Sequence, residues 1–470
     1  MRLARILLVV AAVAGFHRTS PAQAVAPRWA PAVDSVVRAE MARARVPGVQ
    51  IAVVANGRLA YSKGYGVADV ESGRAVTERT LFQIGSVTKA VTGALLAQLA
   101  AEGTVDLHAP VSRYVPEIAG RRVGAVTTHQ LLSQTAGWAD WLRAFGTTDE
   151  SALGRVFSDV GDTLVLTEPG RLYSYSNPSL AMAGYVAERA TKTPYVDLAE
   201  RVVLRKLGMP RATFRSLTAM THDFSLGHVP GPGGAPVVQR PMPNNAAEYP
   251  SGFLWASAAE LARLEMALMA NGMLDGARVL SADAVRAMTT GTLRIPGSPR
   301  NWSGYGLQVD TLAGQRVWRK TGNVTGFNAE ISMWPDLQVA VVTLTNRVTA
   351  AVRSENVAVR VNVLAAQIVS GRSLERETTA AARPPTDEER RQLVGRYRTG
   401  TESTLGEVAE VNGGLEWRAA RTSFPLRLVS ADRALGERAG QPPIEIIVVR
   451  DADGRVIALH NNARAYVKQP

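Results

Sequence analysis

Residues 372–390 constrain the fold of this 470-residue chain more than any other stretch. The segment is dense in charge and holds Thr378-Thr379-Ala380-Ala381-Ala382, followed by Pro384-Pro385. Two adjacent prolines can belong neither to a helix interior nor to a central strand, so the segment reads as a linker between two folding units. The shorter unit, residues 391–470, carries short strand patterns separated by Asn412-Gly413-Gly414 and Asp451-Ala452-Asp453-Gly454. It is expected to be a small all-β domain, of a size that folds alone.

The longer unit, residues 25–371, mixes helices and strands. Apolar spacing predicts a helix over 31–44, then strands over 49–54 and 59–66 joined by Asn56-Gly57, a strong hairpin signal. Residues 86–102 read as a helix, because Val87, Ala90, Val91, Ala94, Leu95 and Leu99 recur near a period of 3.6 and Gly103 stops the pattern. An amphipathic helix is expected over 258–271. Residues 230–250, rich in Pro, Gly and Asn, read as a long irregular loop of the kind that often covers a site. Three strands are expected over 315–321, 326–334 and 338–346, then a closing helix over 356–369.

The first 24 residues read as an address. Arg2 and Arg5 precede an apolar run over 6–16 that is too short to span a bilayer, and Ala22-Gln23-Ala24 is a small-x-small cleavage site. A signal peptide is therefore expected, with the mature chain starting near Val25 in the periplasm or medium. No later stretch is long and apolar enough for a membrane helix. The absence of cysteine excludes disulfides, cysteine nucleophiles and thiolate metal sites.

The net charge of +12 raises the question of nucleic acid, but the arginines are scattered and never form a dense run, which argues against it. The lysines are more informative. They are Lys63, Lys89, Lys192, Lys206, Lys320 and Lys468, in a chain that otherwise uses arginine for its cations. Of the two residue types only lysine readily gives up its proton. The histidines past the leader, His108, His129, His222, His228 and His460, show no metal-ligand spacing, so no metal and no other cofactor is expected. Asp451-Ala452-Asp453-Gly454 lacks the distant glutamate of a calcium loop and reads as a hairpin turn.

Three short motifs can carry chemistry. In Ser86-Val87-Thr88-Lys89 the serine and lysine, three apart, share one helix face. A serine hydroxyl needs a base beside it, and a buried lysine near a second cation can act as one. In Tyr175-Ser176-Asn177, residues two apart in an extended segment face the same way, pairing a phenol with an amide. In Lys320-Thr321-Gly322, at a strand end, a cation and a hydroxyl suit a substrate carboxylate, and the bare Gly322 leaves room for a ligand along the strand edge. Trp138 and Trp141 fit either the site lining or the core.

Taken in this order, Ser-x-x-Lys, Tyr-Ser-Asn and Lys-Thr-Gly resemble the motifs of serine β-lactamases and penicillin-binding peptidases, above all their class C branch. Residues 131–137, Leu-Leu-Ser-Gln-Thr-Ala-Gly, are similar to a family segment that more often has His in place of Gln134. Tyr305-Gly306-Leu307 and the glycine-spaced run from Gly322 to Phe327 match as well. The resemblance covers about residues 30–370. It implies an α+β fold: an antiparallel sheet made from both ends of the domain, flanked by helices, with a helical region beside it and the site between. It implies that Ser86 is acylated, with Lys89 and Tyr175 as the proton-transfer pair. Asn177 would orient the substrate amide, and Lys320, Thr321 and Gly322 would hold the substrate. The backbone N–H groups of Ser86 and Asn323 would form the oxyanion hole.

The substrate implied is a small molecule or peptide carrying a carboxylate, such as a β-lactam or a D-amino-acid-terminated peptide. A carboxylesterase of the same family and a penicillin-binding sensor with slow turnover are the alternatives. The oligomeric state is left open.

Overall fold

The computed structural model describes residues 26–470 except 142, 159, 298–299, 350–354, 375–380, 400–404, 420–421, 439–440 and 462–463. The expected signal peptide and cleavage site, and the Thr378-Thr379 part of the expected linker, lie outside the described residues.

The chain enters through helix α1 (Ala30–Ala44) and the hairpin of β1 (Gly48–Ala55) and β2 (Arg58–Gly66). Asn56 and Gly57 both take positive φ, 52° and 72°, as a two-residue turn between twisted strands requires. Far along the chain come β3 (Leu293–Arg294), β4 (Trp302–Ser303), β5 (Gln308–Leu312), β6 (Gln315–Val324), β7 (Phe327–Trp334) and β8 (Val339–Thr345). The eight form one antiparallel sheet in the order β2-β1-β8-β7-β6-β5-β4-β3. The sheet thus joins the two ends of the domain. Strands β3 to β5 were not anticipated, since two- to five-residue strands are too short to show a period.

Both faces of the central strands are covered. Val49, Ile51 and Val53 point to one side, where α1 and the closing helix of this unit (Val357–Ser370) pack with Val33, Val37, Val357 and Val361. Ala52 and Val54 alternate to the other side and join the main core. That side holds α2 (Thr88–Ala101), α3 (Asn177–Thr191) and α4 (Ala258–Met269). Helix α2 is buried nearly all round rather than along one stripe. Its N-terminus also differs from expectation: Gly85–Val87 form a 3₁₀ turn, and the α-helix starts at Thr88.

Two loop expectations change. Residues 230–250 are not a loose cover. They complete a small ribbon that begins just before them (His228–Pro230 with Pro236–Val238) and hold a 3₁₀ turn (Ala246–Glu248), and their last residues are buried. Residues 372–390 are only partly a linker: Arg383 bridges Leu428, and a short helix (Asp387–Leu393) begins in the segment under a capping box from Thr386 to Glu389.

The C-terminal unit is a closed barrel of eight antiparallel strands, β9 (Gly395–Arg398), β10 (Leu405–Val411), β11 (Gly414–Ala419), β12 (Thr422–Ser430), β13 (Arg433–Arg438), β14 (Gln441–Arg450), β15 (Val456–Asn461) and β16 (Arg464–Lys468). Each strand pairs with the next, and β9 closes on β16. Inside, Trp417 fills the space left by Gly406 and Phe424 the space left by Gly436; a Cβ on either glycine would stand within 2.3 Å of the ring. Large side chains facing small ones pack this interior as a core. The Asp451–Gly454 segment is the β14–β15 turn.

Candidate active site

Ser86 lies in the turn just ahead of α2. Strand β5 pairs with β6 only as far as Arg319, so from Lys320 onward that edge of β6 is open to the turn. A Cβ on Gly322 would lie 2.0 Å from the Ile84 carbonyl oxygen and 2.9 Å from the Val87 nitrogen. One on Gly85, whose φ is +49°, would lie 2.7 Å from the Asn323 nitrogen. Gly322 therefore has a packing reason in addition to the expected one. Its missing side chain lets the strand edge seat on the Ser86 turn, before any ligand is considered.

Asn323 stands opposite Asn328, one place out from the Val324–Phe327 pair that closes the hairpin. By the alternation of an antiparallel ladder its N–H faces away from β7, toward Gly85 and Ser86. Lys320 shares a strand face with Trp318 and Val324 of the main core, and its ammonium lies 4.8 Å from the centre of the Tyr175 ring. Thr321 is half-buried at the same edge. Tyr305-Gly306-Leu307 supports the opposite end of the motif: a Cβ on Gly306 would stand 2.0 Å from the Lys89 carbonyl oxygen, so this segment lies directly on α2.

Lys89, in the first turn of α2, is fully buried and reaches three oxygens. Its Nζ lies 3.1 Å from Ser86 Oγ, 2.7 Å from Asn177 Oδ1 and 2.6 Å from the Ser251 carbonyl oxygen. The last two can only accept. A neutral amine that donates to both keeps its lone pair for the Ser86 hydroxyl. The Tyr175 hydroxyl donates to Ser86 Oγ from the other side at 2.6 Å. Tyr175 and Asn177 do face one site, their polar atoms 3.5 Å apart. The segment is a helix entry, with Ser176 as N-cap of α3 and Asn177 as its first residue.

The electrostatics separate lysine from tyrosine. Burial pushes Lys89 well below its ordinary range, and the nearby Lys320 and Arg464 cations push the same way, while Asp140 and Glu248 oppose. Burial pushes the Tyr175 phenol up, so it stays protonated. The arrangement can therefore offer Ser86 an amine that accepts a proton and a phenol that donates one.

Gln134 and three residues with no sequence signal, Asp140, Glu248 and Ser251, hold the site together. Gln134, at the position noted above, accepts from the Ser176 N–H with Oε1 at 2.5 Å and from the Ser174 N–H with its carbonyl at 2.9 Å. Asp140 Oδ1 accepts from the Asn177 N–H at 2.7 Å and from its Nδ2 at 3.0 Å. Ser251 offers its carbonyl to Lys89. Glu248 is buried, with Oε1 held by the Arg143 N–H at 2.8 Å and Oε2 without a hydrogen bond among the described residues; burial raises it to about 7. Trp138 is wholly buried in the core, and Trp141, partly buried, packs against it.

A family model described as Beta-lactamase matches residues 33–366. A β-lactamase of Pseudomonas fluorescens is 34% identical over 185 residues, 39% of this chain and 50% of its own length. The chain spans about half the length of the curated relatives it matches, 46% to 50%. The crystal structure of SurE with D-Leu is similar over 94% of this chain and 99% of that one, with a TM-score of 0.74 and 25% identity. That extent takes in the barrel as well as the sheet domain. The D-alanine carboxypeptidase AmpC from Burkholderia cenocepacia is similar over 71% of this chain and 99% of its own, with a TM-score of 0.59 and 25% identity. In the described residues no helix is long and apolar enough to cross a membrane.

Proposed function

This chain belongs to the Beta-lactamase family, and from that premise we propose that it is a serine hydrolase that forms an acyl-enzyme on Ser86 with amides bearing D-amino acids or with β-lactams. The observation that carries the reading is the position of Ser86 Oγ between Lys89 Nζ at 3.1 Å and the Tyr175 hydroxyl at 2.6 Å.

Lys89, neutral in its buried setting, takes the Ser86 proton as Oγ attacks the carbonyl carbon. The oxyanion is met by the N–H groups of Ser86 and Asn323, a term worth about 3 kcal/mol per donor. As the tetrahedral adduct collapses, Tyr175 passes its proton to the leaving nitrogen and regains one from Lys89. Water then attacks the acyl-enzyme with the same groups in reverse order. Asn177 orients the substrate amide. Lys320 and Thr321 hold its carboxylate at the β6 edge, with Gly322 keeping that edge against the turn. The substrate class is supported by two relatives, one crystallised with D-Leu and one named as a D-alanine carboxypeptidase. Export through residues 1–24 belongs to the same reading, because such substrates are found outside the cytoplasm.

The test uses purified protein with three panels: β-lactams, short peptides ending in D-amino acids, and short-chain nitrophenyl esters. Turnover of the D-peptides or β-lactams, lost in Ser86→Ala, is the expected result. Ester turnover alone would replace the reading with the esterase. A stable penicillin adduct without turnover of any panel would replace it with the sensor. Activity that survives Ser86→Ala would overturn the mechanism.

A further inference from the structure

We propose that Arg464, carried by the C-terminal barrel, is a positioning residue of the Ser86 site, acting through an ion pair with Asp140 that holds Asn177 and Lys89 in their working arrangement. The proposal rests on the acyl-enzyme reading above and extends it to the second domain.

Arg464 opens β16, one arm of the β15–β16 hairpin. That hairpin sits on the residues just before the Tyr175 motif. The Ala465 N–H donates to Ser174 Oγ at 3.3 Å, Ala458 and Ala465 pack on Leu172, and the His460 ring lies 5.9 Å from that of Tyr173. From this seat Arg464 Nε donates to Asp140 Oδ2 at 2.7 Å, and its Nη2 pairs with the same oxygen. The other Asp140 oxygen takes both donors of Asn177, the backbone N–H and Nδ2. Asn177 Oδ1 is thereby turned toward Lys89 Nζ, which lies 3.1 Å from Ser86. Four residues link the barrel to the serine without a gap.

The direction of the Asn177 amide depends on this chain. An amide can bind either way round, and here the carboxylate takes the NH₂ end and leaves the oxygen for Lys89. Asp140 keeps 8% of its side-chain surface, while Arg464 keeps 43%. A carboxylate that enclosed needs a partner charge. The guanidinium also lies 5.3 Å from the centre of the Tyr175 ring.

The charged groups that face Lys89 come from four places: Lys320 on β6, Asp140 before the Tyr175 motif, Glu248 in the 246–248 turn, and Arg464 on the barrel. The Tyr175 phenol beside them is neutral. Two cations favour the free amine and two carboxylates oppose it. Arg464 both orients Asp140 and cancels its charge.

The probe is a fluorophosphonate, which lacks a carboxylate and so reports on Ser86 rather than on substrate recognition. Ser86 Oγ forms the P–O bond, fluoride leaves, and the serine proton goes to Lys89. Labelling rate is followed against pH in the full-length chain, with the labelled residue identified by mass spectrometry. In Arg464→Met the acidic limb of the profile should move up by about half a unit to one unit, since Asp140 then acts on Lys89 without the cation paired to it. In Arg464→Met with Asp140→Asn the limb should return to within about 0.2 units of the wild type, because both charges are gone. Arg464→Lys should keep the limb in place at a lower rate. A wild-type profile in Arg464→Met would overturn the proposal. So would an equal loss at every pH with the limb unmoved, which would mark the hairpin as packing only. Failure of the wild type to label at Ser86 would instead overturn the acyl-enzyme reading on which the proposal stands.

Discussion

The backbone of Asn323 lies so close to Gly85 that a Cβ on the glycine would come within 2.7 Å of its nitrogen. The strand edge and the nucleophile turn therefore meet with nothing between them. Gly85→Ala should fail twice, through a positive φ that a Cβ disfavours by about 1 kcal/mol and through overlap costing about 1–3 kcal/mol more. The expected outcome is a melting temperature lower by several degrees and a loss of Ser86 labelling of at least about a hundredfold. Thermal melting and labelling rates on one preparation check it.

Lys89 is held between two acceptor-only oxygens and the serine. Lys89→Met should slow acylation by about 10³–10⁴-fold. Lys89→Arg should be no better, because a guanidinium keeps its proton and cannot be the base. Burst rates with a penicillin or an activated ester decide this. Recovery in the arginine variant would mean that Lys89 serves only as a fixed charge.

Glu248 should act on both pH profile and stability. Its ionised form raises Lys89, so Glu248→Gln should move the acidic limb of acylation to lower pH. For stability, its folded value of about 7 lies above the ordinary 4.5. Folding then binds extra protons between those values, so the stabilisation is complete below 4.5 and is lost as pH rises through 7. The cost at pH 8 is about 3 kcal/mol at most. Glu248→Gln should accordingly melt higher than the wild type at pH 8 and nearly level with it at pH 4, as read by calorimetry.

His460 gives the opposite sign. It is 1% exposed at the barrel's contact with Tyr173, and burial lowers it from 6.5 to about 4. The unfolded chain takes up a proton first, so stability falls as pH drops from 6.5 toward 4, by about 3 kcal/mol at the end of that window. His460→Leu should flatten the decline in melting temperature between pH 7 and 4.5. An unchanged slope would place the acid sensitivity elsewhere.

The elements that could be read early share a physical property. Asn56-Gly57 turns where it was expected because two residues of positive φ make that turn wherever they stand between strands. The strands at 315–346 and the helices α1 and α4 are legible because their burial repeats along the chain. Strands β3 and β4 were not, being two residues long and defined only by their partners. Gly322 stands out in the sequence by its place in a motif, but its contact with Ile84, which packing brings there, has no sequence signal.

By itself the sequence determined the two-part division, the secondary elements with clear periods, and the three motifs whose order identifies the family. Those features depend on residues within a turn or a strand of one another. Only the tertiary structure decided which groups surround Lys89. Asp140 lies 37 residues from Asn177, and Arg464 lies 324 residues from Asp140. A lone aspartate or arginine looks the same anywhere in a chain; its charge and hydrogen bonds acquire a role only when folding removes water and sets a partner against it.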